Sequence, residues 1–418
     1  MKDIVGQKKK HKKAPRGMTK VAKAAPVAPL RKRLLKAIFF ILLAGLFTFV
    51  LNRAGLLSQL ETTFLDAQMR LDVPDEESQV IIVDITQSDF EQIFQGQTRP
   101  LKPDALRTLI RAVAKGRPCV IGIDIDTHFA QFKNFTLSDD WPPIIWAREV
   151  AELPADVNQK PAPLDVLGGQ SPALNEKSGI ALLIDDAVSK TTRRYVRLIE
   201  TTVGKQPSFA WAVYRERQRQ DCSGVRLPPL DESAGPLLIR YSRGIEGIGR
   251  TRLTASNVIS FAEDANWPNN ELVKDKIVLI GGSYLDEDKH DTPIGRMTGV
   301  EVMANVVESE LRGGGIEPPN NLTVGLLLIF DGLLLIALFQ MLPLRKALLF
   351  SLPIIIILSL ACSFLSYRSF SRWAFFAPMM VGVLLAELLD MAKDVYKDWI
   401  RRLKGESQTE KPTAPPRK

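Results

Sequence analysis

The chain has 418 residues, 45% hydrophobic and 24% charged, with a formal charge of +8. Its mean hydropathy of zero averages two phases, because the apolar residues concentrate in 34–51 and 322–391 around a mixed middle, which excludes a plain cytosolic enzyme. Residues 1–36 carry +12, residues 393–418 carry +4, and the folded middle is left near −9, so the basic total reflects two ends rather than a nucleic-acid-binding surface.

Residues 1–33, with Lys8-Lys9-Lys10, Lys12-Lys13 and the run AKAAPVAP, have the composition of a disordered tail. Topogenic charge and attraction to anionic lipid account for these lysines. No aromatic is interleaved among them for base stacking, so no nucleic-acid partner is expected. Leu34 to Leu51 (LLKAIFFILLAGLFTFVL) forms an 18-residue apolar run, enough for a helix of about 27 Å that spans a bilayer core. Leu51-Asn52-Arg53 offers no small-x-small cleavage site, so the run reads as an uncleaved anchor. With the basic tail held inside, residues 52–321 fall outside the membrane.

That external stretch reads as an α/β domain with a mixed sheet flanked by helices. Val80 to Ile85 (VIIVDI) and Cys119 to Ile125 (CVIGIDI) are short β-branched runs. Lys102 to Lys115 lies between them, with Leu106, Leu109, Ile110 and Val113 at helical spacing. The three make a βαβ unit with parallel strands. Residues 131–178 hold six prolines and little periodicity, and read as an excursion of loops. A hairpin is expected from Ile180–Asp185 to Tyr195–Glu200, followed by a helix over Ser208–Gln218 and a strand over Leu237–Ser242. Lys276–Gly281 (KIVLIG) reads as a strand and Gly299–Leu311 as a final helix.

Three further spans follow at 322–342, 347–366 and 373–391, joined by tight loops, and residues 392–418 form a cytoplasmic tail. The Arg345-Lys346 loop falls inside, as the positive-inside rule requires. Asp331 sits near the middle of its span, where a carboxyl is costly unless protonated or paired. It reads either as a hydrogen-bonded packing residue or as a residue for helix association and signal transfer.

The order of motifs resembles the type-two CHASE family, the cyclase- and histidine-kinase-associated extracellular sensory domain. The matching pieces are FLDAQMRL from Phe64, VIIVDIT from Val80, VIGIDID from Val120 and the stretch from Gly179 to Tyr214. The most specific is KIVLIGGSYLDEDKHDTPIGRMTGVEVMANVVESEL over Lys276–Leu311. The chain departs from the family pattern at Thr86, where a second acid is frequent, and at Met303, where a His is. The resemblance implies a sensor with one anchor before the domain and three helices after it. The chain stops at Lys418, so a form without its own output domain is expected, signalling through its helix bundle to a separate cytoplasmic protein. An accessory subunit of an envelope complex is the alternative. The resulting expectation is a bacterial inner-membrane protein with lipid-bilayer contact and homo-oligomerisation open. It is not an enzyme, and no cofactor is named by the sequence.

Ligands bind beyond the carboxyl ends of strands in α/β sheets, and Asp84, Asp124, Asp126, Asp288, His290 and Asp291 fall at or just past such ends, with His128 and Thr292 beside them. Carboxylates with imidazoles suit a divalent cation or a small ligand. The bland reading is that these acids cap helices and pin loops, and that Thr292-Pro293 and Gly295 make a turn. A rival chemistry comes from VIGIDIDT, which matches the DxDxT of haloacid-dehalogenase-like phosphatases. Asp124 would be the nucleophile, Asp126 the acid/base, and Asp185-Asp186 would complete a magnesium site. No Lys follows in the expected place, and the nucleophile strand does not come early. Finally, Cys119 and Cys362 read as apolar packing residues and Cys222 as an exposed thiol. No disulfide framework is implied, with a Cys119–Cys222 bridge the lesser alternative.

Overall fold

The computed structural model describes residues 56–317 except 72–77, 97–100, 152–163, 170, 187–188, 221, 223–235, 242–250 and 287, together with scattered residues at 46, 50, 353–367 and 392–403. Among the described residues no helix is long and apolar enough to cross a membrane. The four expected spans, Asp331 and Cys362 lie outside the described residues, apart from isolated positions and the short helical piece 363–367.

The centre is a six-stranded parallel sheet in the order β12-β1-β13-β2-β3-β6. These strands are β1 (Val80–Ile85), β2 (Val120–Asp124), β3 (Ile144–Arg148), β6 (Ser178–Ile180), β12 (Arg252–Thr254) and β13 (Ile277–Gly282). β1 and β2 are parallel as expected, but they are not neighbours, because β13 arrives last and inserts between them. The expected mixed sheet is therefore corrected. Among the described residues the antiparallel strand pairs lie in small satellites: β4 (Val150–Ala151) with β5 (Asp165–Val166), β7 (Ile184–Asp185) with β8 (Thr192–Tyr195) and β11 (Leu237–Leu238), β9 (Leu198–Thr201) with β10 (Gly204–Pro207), and β14 (Lys289–Thr292) with β15 (Gly295–Thr298). Within the central ladder, β1, β2 and β13 are buried almost throughout and read as continuous apolar runs.

Helices cover both faces. On one, Val80, Ile82, Val120, Ile277 and Leu279 pack under α1 (Leu56–Leu71), α5 (Phe209–Arg219) and α7 (Gly299–Leu311). On the other, Ile81, Val83, Ile121, Ile123, Val278 and Ile280 pack under the short α2 (Gln87–Gln92), α3 (Pro103–Lys115) and α6 (Ala255–Phe261). The remaining α4 (Pro172–Glu176) leads into β6. The α3 sequence explains its own limits: Pro103 opens it, Asp104 and Lys115 oppose the dipole at its two ends, and Leu106, Leu109, Ile110 and Val113 form the buried stripe. Thr86, one of the two departures from the family pattern, caps α2, accepting from the Asp89 N–H at 3.2 Å while Asp89 Oδ2 accepts from its N–H at 3.0 Å.

Two further corrections concern the middle of the chain. The excursion 131–178 contains β3, which lies next to β2 in the sheet. Its five residues IIWAR follow Pro142-Pro143 and, being buried almost throughout, show no alternation. Cys119 and Cys222 are not separate packing and surface residues but a disulfide, with S–S 1.96 Å and Cα–Cα 5.8 Å. The bridge ties the amino end of β2 to the segment just after α5.

Candidate functional site

The carboxyl edge of the sheet opens into a cavity of about 330 Å³, lined from β2, β3 and β13 below and from the β14 and α7 segments above. Its closeness to α7 depends on Gly281, where a Cβ would lie 2.5 Å from Val300 Cβ. Without a side chain there, the first turn of α7 settles directly on the sheet. Thr298 N–H donates to Glu301 Oε2 at 2.7 Å and fixes that turn.

Asp124, the last residue of β2, lines the cavity. Among the described residues no group donates a hydrogen bond to its carboxylate. Burial first, then the negative charges of Asp288 and Glu149, push its pKa up to about 7, against the opposing pull of His290. Asp288 also lines the cavity, but its Oδ2 accepts from Gly299 N–H at 3.1 Å and its Oδ1 lies 3.1 Å from His290 Nε2. It caps α7 as well as facing the cavity, so the bland reading of the acids holds in part. His290 is held above the usual imidazole range chiefly by that contact with Asp288.

Asp126 lies just past β2, and its Oδ1 accepts from His128 N–H at 3.1 Å while also touching the His128 ring. Its Oδ2 is buried without a hydrogen-bond partner. One ligand atom each from Asp126, His128 and Glu149 lies within 4.8 Å of the others, a donor set of carboxylates and imidazole that can hold a divalent cation.

Two of the acids expected here lie elsewhere. Asp84 does not line the cavity. Arg252 Nε donates to its Oδ2 at 3.0 Å, Arg252 Nη2 touches the same oxygen, Ser283 Oγ donates to it at 2.8 Å, and Arg252 Nη1 reaches on to Glu301 at 3.1 Å. Asp291 is exposed on β14, opposite Arg296, and also stays off the cavity wall. Thr292 donates to the Gly295 carbonyl, and Gly295 has φ +134°, so this segment is the turn its sequence suggests. The phosphatase pair is likewise occupied. Asp185 accepts from Thr192, Asp186 accepts from the Ser189 N–H at 3.3 Å and faces Arg193 at 3.8 Å, and neither lines the cavity.

Sequence reasoning missed Arg148, Glu149, Tyr284 and Met303 as cavity residues. Arg148 and Glu149 follow from β3, which was not read as a strand. Tyr284 stacks on Phe90 with ring centroids 4.5 Å apart, and this pairing carries no local sequence signal.

A parallel sheet with helices on both faces and a half-open crevice at its carboxyl edge defines an α/β domain of the kind in which ligands bind at that edge. Residues 39–342 match the family model of the CHASE2 domain, and the chain belongs to that family of extracellular sensory domains. No curated protein and no solved structure matches the chain.

Proposed function

We propose that this chain is a membrane-anchored sensor whose carboxyl-edge cavity receives a ligand outside the membrane and whose membrane helices pass the signal to a separate cytoplasmic protein. The observation that carries this reading is the Asp124 carboxylate, which faces a formed cavity with no donor of its own. Leaving a carboxylate partly buried and unsatisfied costs stability, and such groups persist where a ligand completes them.

A route from cavity to membrane supports it. His290 stands on β14, and the β14–β15 turn offers the Pro293 carbonyl to Arg70 Nε of α1 at 2.7 Å. Asp66 of the same helix is gripped by Arg193 through two hydrogen bonds of 2.7 and 2.8 Å. At its far side, Gln68 Nε2 donates to Ser363 Oγ at 2.7 Å, and Tyr367 is buried in the core that holds Leu65 and Met69. α1 begins at Leu56, a few residues after the expected anchor ends at Leu51, and 363–367 closes the expected third span on the external side. A ligand that shifts the β14–β15 hairpin therefore acts on α1, between two membrane segments.

The test is crosslinking of the full chain in its native cells, followed by identification of the captured proteins, for wild type and Asp124→Asn. Capture of a cytoplasmic cyclase, kinase or regulator that changes in the variant is the expected result. A fixed set of envelope proteins captured equally by both would overturn sensing in favour of an assembly role.

A further inference from the structure

The cavity presents charges of both signs, and their arrangement restricts its ligand. The pairing of Ile123 with Trp146 sets Asp124 beside Ala147, so Asp124 and Arg148 leave adjacent strands on opposite faces of the sheet and reach the cavity from two sides. Arg148 is partly buried, lines both this cavity and the smaller one beside Asp165 and Val166, and its Nε donates to the Leu167 carbonyl at 3.2 Å. Among the described residues no carboxylate pairs with its guanidinium, and burial alone lowers its pKa. Arg148 and Asp124 do not neutralise one another.

A guanidinium and a carboxylate partly withdrawn from water on two sides of one cavity each forfeit hydration that an occupant can restore. The free edge of the Arg148 fork suits a carboxylate, which it can take in two parallel hydrogen bonds. Around Asp124, the acids Asp126, Glu149 and Asp288 on the same cavity outnumber the opposing His290, so this side repels an anion and attracts a cation. A volume of about 330 Å³ holds on the order of ten water-sized groups, the scale of an amino acid or a dipeptide.

We propose that the cavity selects a small amino-carboxylate, with its carboxylate on Arg148 and its ammonium at Asp124. This rests on the reading of the cavity as the ligand site and names the class of ligand. The Asp126–His128–Glu149 cluster supplies the competing occupant, a divalent cation, which would engage neither Arg148 nor an ammonium subsite.

The experiment is calorimetric titration of the full-length chain in lipid nanodiscs with a ruler of probes: glycine, β-alanine, 4-aminobutanoate, 6-aminohexanoate and diglycine. Butylamine, butyrate, Mn²⁺ and Zn²⁺ serve as single-ended comparisons. One length of amino-carboxylate should bind at least tenfold more tightly than butylamine or butyrate. Its affinity should fall at least tenfold in both Asp124→Asn and Arg148→Met, and less in Arg148→Lys, which keeps the charge and loses the fork. Circular dichroism and a cooperative melt confirm that each variant is folded. Tight binding of butylamine, Mn²⁺ or Zn²⁺ that Arg148→Met leaves unchanged overturns the amino-carboxylate assignment while keeping the cavity as a ligand site. Binding of none of the probes to wild type also overturns it, and the crosslinking result then decides separately whether the chain is a sensor.

Discussion

Asp84 and Asp124 occupy equivalent places. Each lies at the carboxyl end of a parallel strand beside β13, Asp84 one residue before the end of β1 and Asp124 last in β2; each is in register with Gly281, and both therefore point to the same face of the sheet. Their surroundings differ because of the next strand outward. β12 places Arg252 two positions before the residue opposite Asp84, and Ser283 adds a hydroxyl, so that carboxylate becomes a joint between sheet and α7. β3 offers Asp124 only Ala147, and the space above it stays open. An acid at a strand's carboxyl end thus becomes a strut or stays open to a cavity according to what its neighbouring strand supplies, and its position alone does not decide.

The largest effect comes from breaking the strut. Arg252→Met leaves Asp84, 1% exposed, without its cation; uncompensated buried charges of this kind cost about 3–5 kcal/mol, and urea unfolding followed by tryptophan fluorescence should show a loss of that size. Next is the bridge at the opposite end of β2. Replacing both Cys119 and Cys222 by Ser opens a crosslink spanning 103 residues and should lower stability by about 2–5 kcal/mol, with no change in binding at the carboxyl edge. Thr86→Ala, which removes the α2 cap beside the strut, should cost about 1 kcal/mol in the same unfolding assay.

The last effect has the opposite sign. Asp124, with its folded pKa raised to about 7, holds its proton more tightly folded than unfolded. Its contribution is therefore fully favourable below the unfolded carboxyl range near 4 and is lost as pH rises from there through about 7. Asp124→Asn should remove that part of the decline and leave the chain more stable than wild type at pH 8, as read from melting midpoints across pH 4–8.

The comparison also shows what the sequence makes legible. β1, β2, β13, α3 and α7 were readable because each is a long apolar run or a clean helical stripe bounded by caps. Asp124, Asp126, Asp288 and His290 were readable as an edge group because strand ends converge in this architecture. β12 has three residues and β3 five, too few to show a period, so Arg252 and Arg148 had no address in the fold. Asp84 is therefore misjudged from sequence, since its partner is 168 residues away. The disulfide was obscure for the same reason: spacing along the chain carries no information on the proximity of the start of β2 to the segment after α5.

The central claim, that the cavity at Asp124 receives a ligand and the equivalent place at Asp84 does not, is tested most directly by native mass spectrometry with elemental analysis. The full-length chain would be purified from its own cells without added metal, as wild type, Asp124→Asn and Asp84→Asn. A small molecule of the cavity's size retained by wild type and by folded Asp84→Asn but lost from folded Asp124→Asn is the predicted result. The same retained mass in wild type and Asp124→Asn, or bare folded chains in all three, would contradict it.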